Sequence, residues 1–283
     1  MLIEFILKFR ELNLDWIQNY SASMSKVITA ETIDPASLTF NDRVKLMNTL
    51  YTVHQRIFHG LNETEFDHYV VNSAAPFTTI HVYRNSNKND VVGYFAVHRF
   101  DKEVDSQPLA VFRAEAGLVP EYRRKNADLS FFLSEGIKFK LRNPGRTTCF
   151  LASPVNPSMY AILARYIHNI YPKYDTAIPV NIQSLMFRLA NEFKLEPVDK
   201  QNLLIRKVGW ITQASDEEKL FWTTTKNPHV QFYLQLNPGF LDGNGLLTYI
   251  PFTFSNILLS LIKFGFYSVK KQLKAFLRRI HMA

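Results

Sequence analysis

Between Leu109 and Phe132 the chain reads LAVFRAEAGLVPEYRRKNADLSFF, and this stretch restricts its folding more than any other. Leu109, Val111, Arg113, Glu115 and Gly117 alternate with Ala110, Phe112, Ala114, Ala116 and Leu118, the period of two that marks a strand. Pro120 stops that strand, because proline has no N–H to give to a ladder. Arg123, Arg124 and Lys125 follow directly, and Leu129, Phe132 and Leu133 then recur at helical spacing. A strand that feeds a helix aims the first N–H groups and the positive dipole end of that helix at one spot. Cations beside such a spot make an anion site, most often for phosphate. They also oppose the helix dipole, so a solvated helix start is the other reading of the same three residues.

Around this junction the pattern predicts helices over 2–24, 42–59, 62–71, 127–142, 158–171, 181–193 and 254–280. Strands are predicted over 78–83, 91–100, 108–118, 147–152, 203–208 and 230–236, and a loop over 31–40. Asn41 stands where a cap would open the second helix, and Asn62 with Glu65 reads as a capping box. NSNKND (85–90) and the polar run 101–107 separate three successive strands, which are therefore expected to pair antiparallel. The result is an α+β chain without internal repeats.

The junction and the order of elements together resemble the GNAT superfamily of N-acyltransferases, over about residues 40–210. The acyl-CoA-binding motif of that superfamily runs roughly V-x-P-x-x-R/Q-x-x-G-x-G/A. Leu118 stands at the Val position, and Pro120 and Arg123 match. The motif is degraded here: its two glycines fall on Asn126 and Asp128, and a frequent further glycine falls on Arg124. The resemblance implies a mixed, mainly antiparallel sheet splayed open at one point and flanked by helices. It implies an acyl-CoA co-substrate, acetyl-CoA or longer, held by Leu118, Val119, Arg123, Arg124, Lys125 and Asn126. It also implies an amine acceptor. In the family a strand acid and a helix tyrosine typically move the protons. Glu115 is the matching acid, three residues before Leu118, with a surface pair to Arg113 or a cross-strand ion pair as the plainer reading. Tyr160, in NPSMYAILARY after Asn156, is the matching acid donor. The usual spacing of seven falls on Leu163, so an aromatic core role for Tyr160 or Tyr166 is the alternative, and Asn156 reads as a cap.

Cys149, the single cysteine, excludes an internal disulfide and a cysteine-based zinc cluster, and it reads as a core residue of TTCFLAS. No metal-ligand spacing is found among the eight histidines, and His54 and His59 read as helix-surface residues. Of the net charge of +8, Lys263, Lys270, Lys271, Lys274, Arg278 and Arg279 supply six, with no acid after Lys263. Leu258, Leu261, Ile262, Gly265, Val269, Leu273, Phe276, Leu277 and Ile280 form one stripe along that last helix. It can pack on the body of the protein, lie on an anionic membrane surface through residues 254–281, or span a bilayer. MLIEFILKFRELNLDW carries Glu4, Lys8 and Arg10 within its apolar pattern and does not read as a secretory signal.

The expectation is a cytoplasmic acyltransferase, possible also as a peripheral membrane protein. A GNAT-like domain would span 1–250, with a basic helix over 251–283. The acyl donor would be acyl-CoA or an acyl carrier protein, with no metal and no nucleic acid as partner. The alternatives are a non-catalytic binding module on the same fold, or a membrane- or partner-binding protein acting through its basic helix.

Overall fold

In the computed structural model of the chain, which describes residues 28–123 and 130–265, ten strands are seen. They are β1 (Ile28–Ile33), β2 (Phe58–His59), β3 (Phe77–Asn85), β4 (Val91–Val104), β5 (Gln107–Leu118), β6 (Thr147–Ala152), β7 (Ile205–Lys207), β8 (Ile211–Thr212), β9 (Asn244–Leu246) and β10 (Thr248–Pro251). Six of them make one sheet in the order β1-β3-β4-β5-β6-β10. The sheet is mixed and mainly antiparallel: β1 with β3 and β10 with β6 run antiparallel, and β5 with β6 runs parallel. That parallel ladder extends from Leu109↔Thr147 to Phe112↔Phe150, and β5 continues beyond it to Leu118. Helices flank the strands: α1 (Phe40–His54), α2 (Glu63–Val70), α3 (Ser130–Arg142), α4 (Pro157–Tyr166), α5 (Val180–Glu192), α6 (Asp216–Thr224), α7 (Pro228–Leu236) and α8 (254–265). The α+β class read from the sequence is thus the observed one.

Two compact units share these elements. The first holds β1, β3, the beginning of β4, the end of β5, α1, α2 and the start of α3. Asn62 and Glu65 close the expected capping box at 2.9 and 3.0 Å. Helix α1 is capped by Thr39, whose hydroxyl accepts the Asp42 N–H at 3.2 Å, and not by Asn41. It ends at His54, so the expected continuation to His59 is replaced by the short strand β2. Phe66, Tyr94, Tyr51 and His54 make an aromatic cluster, with the Phe66 and Tyr94 rings edge-on at 5.7 Å. Strand β1 begins where a loop was expected from residue 31. It is an edge strand with mostly exposed side chains, so burial leaves no period of two in its sequence.

In the second unit, Leu109, Val111, Cys149, Leu151, Leu247 and Tyr249 alternate onto one face of β5, β6 and β10, and Met186, Leu189 and Ala190 of α5 cover them. Phe112 points the other way, against Phe139 of α3 and Phe252. A Cβ at Gly136 would meet the Phe252 ring at 2.5 Å, so α3 approaches that ring only through glycine. Burial lifts the Cys149 thiol to about 12, which fits the core role read from its sequence and leaves no thiolate for attack.

The strand expected over 230–236 is a helix, α7. Val230, Phe232, Leu234 and Leu236 alternate as in a strand, but Asn227 caps the segment and Pro228 takes the first helical position. The Asn227 carboxamide accepts the His229 N–H at 3.0 Å, and Val230 and Tyr233 become the buried pair.

Helix α8 presents its polar side to the second unit. Asn256 bonds Asn169 and Pro251, the Ser260 hydroxyl accepts the His168 N–H at 3.0 Å, and Lys263 donates to the carbonyls of Ile167 and Ala164 at 3.0 and 3.3 Å. Burial, then the charge of Lys173, pulls the Lys263 ammonium down to about 8, with Asp175 acting the other way. Lys263 is therefore part of the packing and not of a solvated basic face. Leu258 and Ile262, expected in the apolar stripe, stand outward at 39% and 46% exposure. The rest of the stripe, from residue 266, lies outside the described residues, as does the N-terminal helix expected over 2–24.

Candidate active site

Strands β4 and β5 are joined by a tight turn in which Asp105 and Ser106 both have positive φ, 52° and 58°. Further up the hairpin the Val119 N–H donates to the Val92 carbonyl at 2.9 Å, which fixes the register at the end of β5. A Cβ at Gly93 would meet the Gly117 carbonyl oxygen at 2.4 Å, so the two backbones approach closely there.

This register puts Glu115 beside His98. The Glu115 carboxylate stands 2.9 Å from His98 Nε2, and the His98 side chain is 1% exposed against 11% for Glu115. On the opposite side of the ring, His98 Nδ1 is 2.9 Å from the Thr78 hydroxyl of β3. Thr78, His98 and Glu115 therefore form a line that runs from a half-buried hydroxyl through a buried imidazole to a carboxyl side chain that is 11% exposed. Tyr94 lies on the same face of β4. Its phenol is pushed well up, by burial first and then by the charge of Glu115, and its hydroxyl shares a hydrogen bond with His54 Nδ1 at 2.8 Å. The sequence reading found Glu115 but not Thr78, Tyr94 or His98, and it set His54 on a helix surface. The structure buries His54 at 1% exposure.

Burial pulls the His54 imidazole down to about 4 from 6.5, so at neutral pH the ring is uncharged, with Nδ1 hydrogen-bonded to the Tyr94 hydroxyl. The folded value lies below the unfolded one, so the unfolded chain binds the extra proton. Stability carried by His54 is complete above about pH 6.5 and falls as acid is added, down to about pH 4. Between about pH 7.5 and about pH 5 this amounts to about 2 kcal/mol, or about 5 °C in melting temperature. His54→Gln is expected to remove that part of the acid sensitivity. Melting curves of both proteins across this range check it, and parallel pH dependences would assign the loss to other groups.

The residues expected to grip an acyl donor are placed as follows. Leu118 is half-buried at the end of β5, and Val119 is buried with its N–H committed to Val92. Arg123 closes a single helical turn, Pro120–Arg123. Its guanidinium donates to the Leu118 carbonyl at 2.9 Å and to the Ile57 carbonyl at 3.3 Å. Arg123 therefore ties the end of β5 to the segment just past α1. Arg124, Lys125 and Asn126, with the expected cluster of N–H groups near them, lie outside the described residues.

Tyr160 is fully buried in α4, its hydroxyl donates to the Pro172 carbonyl at 2.9 Å, and burial raises its phenol further above the usual range. Its ring packs on Tyr233 of α7 at 5.7 Å. This geometry gives it the core role and no open path for a proton. Asn156 is the cap it was read to be, accepting the Met159 N–H at 2.9 Å. Arg113, read as a possible partner of Glu115, has its guanidinium over the Phe193 ring at 4.8 Å. Among the described residues no three His, Cys, Asp or Glu side chains are grouped to hold a metal ion. No helix among them is long and apolar enough to cross a membrane.

The sequence matches no known family profile and no curated protein. Several solved structures resemble the chain. One is a conserved protein of unknown function from Enterococcus faecalis V583, described as a probable N-acyltransferase. It is 11% identical with a TM-score of 0.33, over 49% of this chain and 31% of its own. Another is the ribosomal-protein-alanine N-acetyltransferase of Brucella melitensis biovar Abortus 2308, 10% identical with a TM-score of 0.32, over 54% of this chain and 98% of its own. A third is a GNAT family acetyltransferase of Staphylococcus aureus subsp. aureus USA300_TCH1516, 14% identical with a TM-score of 0.30, over 54% of this chain and 99% of its own. These three likenesses each cover about half of this chain.

Proposed function

We propose that the chain is an N-acyltransferase that moves an acyl group from acyl-CoA or an acyl carrier protein to an amine. The observation that carries this reading is Glu115: a carboxylate whose Oε2 lies 2.9 Å from Nε2 of the buried His98, with the other ring nitrogen 2.9 Å from the Thr78 hydroxyl. Acylation of an ammonium needs a base, because the nitrogen lone pair is free to attack only after a proton leaves. The donor supplies an activated thioester carbonyl. Glu115 takes the proton from the acceptor ammonium, the nitrogen forms the new C–N bond, and the C–S bond breaks. As the C–S bond breaks, the nitrogen loses its second proton to solvent, and the released thiolate takes a proton from solvent, since Tyr160 donates to Pro172. His98 orients the carboxylate, and Thr78 fixes the ring that does so.

A binding module without turnover is the second reading. It is favoured by Val119 and Arg123, whose donors go to the protein's own carbonyls. Any grip on donor phosphates would then fall to the motif residues that follow Arg123.

Melting curves with CoA, acetyl-CoA and longer acyl-CoAs test both. A ligand at about a hundred times its dissociation constant is expected to raise the melting temperature by about 5 °C or more. Thiol release in the presence of amines separates the readings. A shift with release supports the enzyme, a shift without release supports the module, and no shift with any member of the series overturns both.

A further inference from the structure

The side of α8 that faces away from the second unit is apolar. Phe254, Leu258, Leu259 and Ile262 are 40%, 39%, 39% and 46% exposed. This ridge is not a core face turned out for want of a partner, because the other side of the helix is already fastened. Asn256, Ser260 and Lys263 recur at helical spacing, and each is hydrogen-bonded to the stretch from Ala164 to Asn169. The helix is thus the reverse of an ordinary surface helix, with its polar groups in and its apolar groups out. An exposed apolar strip of this kind marks a surface for a partner.

The sequence indicates the kind of partner. After the ridge come Lys270, Lys271, Lys274, Arg278 and Arg279, with no acid before the last residue. Two segments of this chain lie outside the described residues at its ends, and the first of them is electrically balanced. Residues 1–27 carry Lys8, Arg10 and Lys26 against Glu4, Glu11 and Asp15. That segment offers apolar side chains but no net charge to answer five cations. An anionic lipid surface offers both, since hydrocarbon receives the ridge and acidic headgroups receive the cations.

We propose that the α8 ridge lies on an anionic lipid surface, the surface that the basic sequence after it favours. The proposal does not depend on the acyltransferase reading.

Co-sedimentation of the full chain with vesicles tests it. Vesicles of phosphatidylcholine mixed with phosphatidylserine are expected to bind the chain, and vesicles of phosphatidylcholine alone are not. Binding is expected to weaken as salt rises. The double variant L258D/I262D is expected to lose about tenfold or more in partition, with the melting temperature in the absence of lipid unchanged. Phe254→Trp, a gentler change, is expected to shift its indole emission to the blue on mixed vesicles and to be quenched by brominated lipid. Equal binding to both vesicle types, no binding to either, or an unshifted emission from the Phe254→Trp variant overturns the proposal. So does a double variant that turns a dimer into a monomer while vesicle binding persists, which would make the ridge a contact between two copies. A fall of several degrees in its lipid-free melting temperature, with no vesicle binding by the parent chain, would mean that the ridge is covered by residues 1–27.

Discussion

Glu115→Gln is expected to lower the rate of amine acylation by about 10²-fold or more, with little change in melting temperature. The amide keeps the size of the carboxylate and can still reach His98 Nε2, 2.9 Å away in the native chain. What it loses is the capacity to take a proton. The deficit should fall in turnover and not in KM, because a base acts in the transition state and contributes little to holding the substrate. Thr78→Val should have a smaller effect of the same kind, since it releases the His98 ring without touching the carboxylate. Unchanged turnover in Glu115→Gln would leave Glu115 as a cross-strand partner of His98 and nothing more.

The sequence placed Glu115 on a strand but did not show what it faces. Its partner follows from the register, and the register follows from the turn. A polar run over 101–107 reads as a long turn and leaves the pairing of β4 with β5 open. In the structure both strands run on to a turn of Asp105 and Ser106, and that short connection sets which residues lie opposite each other. Once the register is known, His98 falls beside Glu115. The same loss of register hides the Val119–Val92 bond.

Local rules were legible where one signal stood alone and failed where two competed. The Asn62 box, the Asn156 cap and the strand of Cys149 were each read as they are found. In 228–236 the alternation of apolar residues outweighed a proline in the first helical turn, and the helix was read as a strand. Ser215 and Glu218 carry the same capping signature as Asn62 and Glu65, yet α6 was not read, because its exposed face carries Leu220 and Phe221 and breaks the helical stripe. His54 was misread for a related reason. A histidine one turn from a helix end is ordinarily a surface residue, and only the packing of Phe66 and Tyr94 around it makes it a core one.

Asn256→Ala is expected to cost about 3 to 4 kcal/mol, and about 10 °C in melting temperature. The side chain is 2% exposed and makes three bonds to the backbone, besides a long one from the Ser260 hydroxyl at 3.5 Å. Its oxygen accepts the Asn169 N–H at 2.7 Å, and its nitrogen donates to the carbonyls of Asn169 and Pro251 at 2.9 and 2.8 Å. Truncation leaves a backbone donor and two acceptors without those partners in a place that water reaches poorly, and each such group costs about 1 kcal/mol or more. Leu258→Ala, two residues on, is expected to change stability by less than about 0.5 kcal/mol, because its side chain is already open to solvent. An apolar stripe packed on the body would give the opposite order, with Leu258 costly and Asn256 nearly neutral. Thermal melts of the two single variants therefore decide which side of α8 faces the protein. With Asn256 inward, the ridge is held out by hydrogen bonds that a partner need not break, and docking costs the second unit none of its own packing.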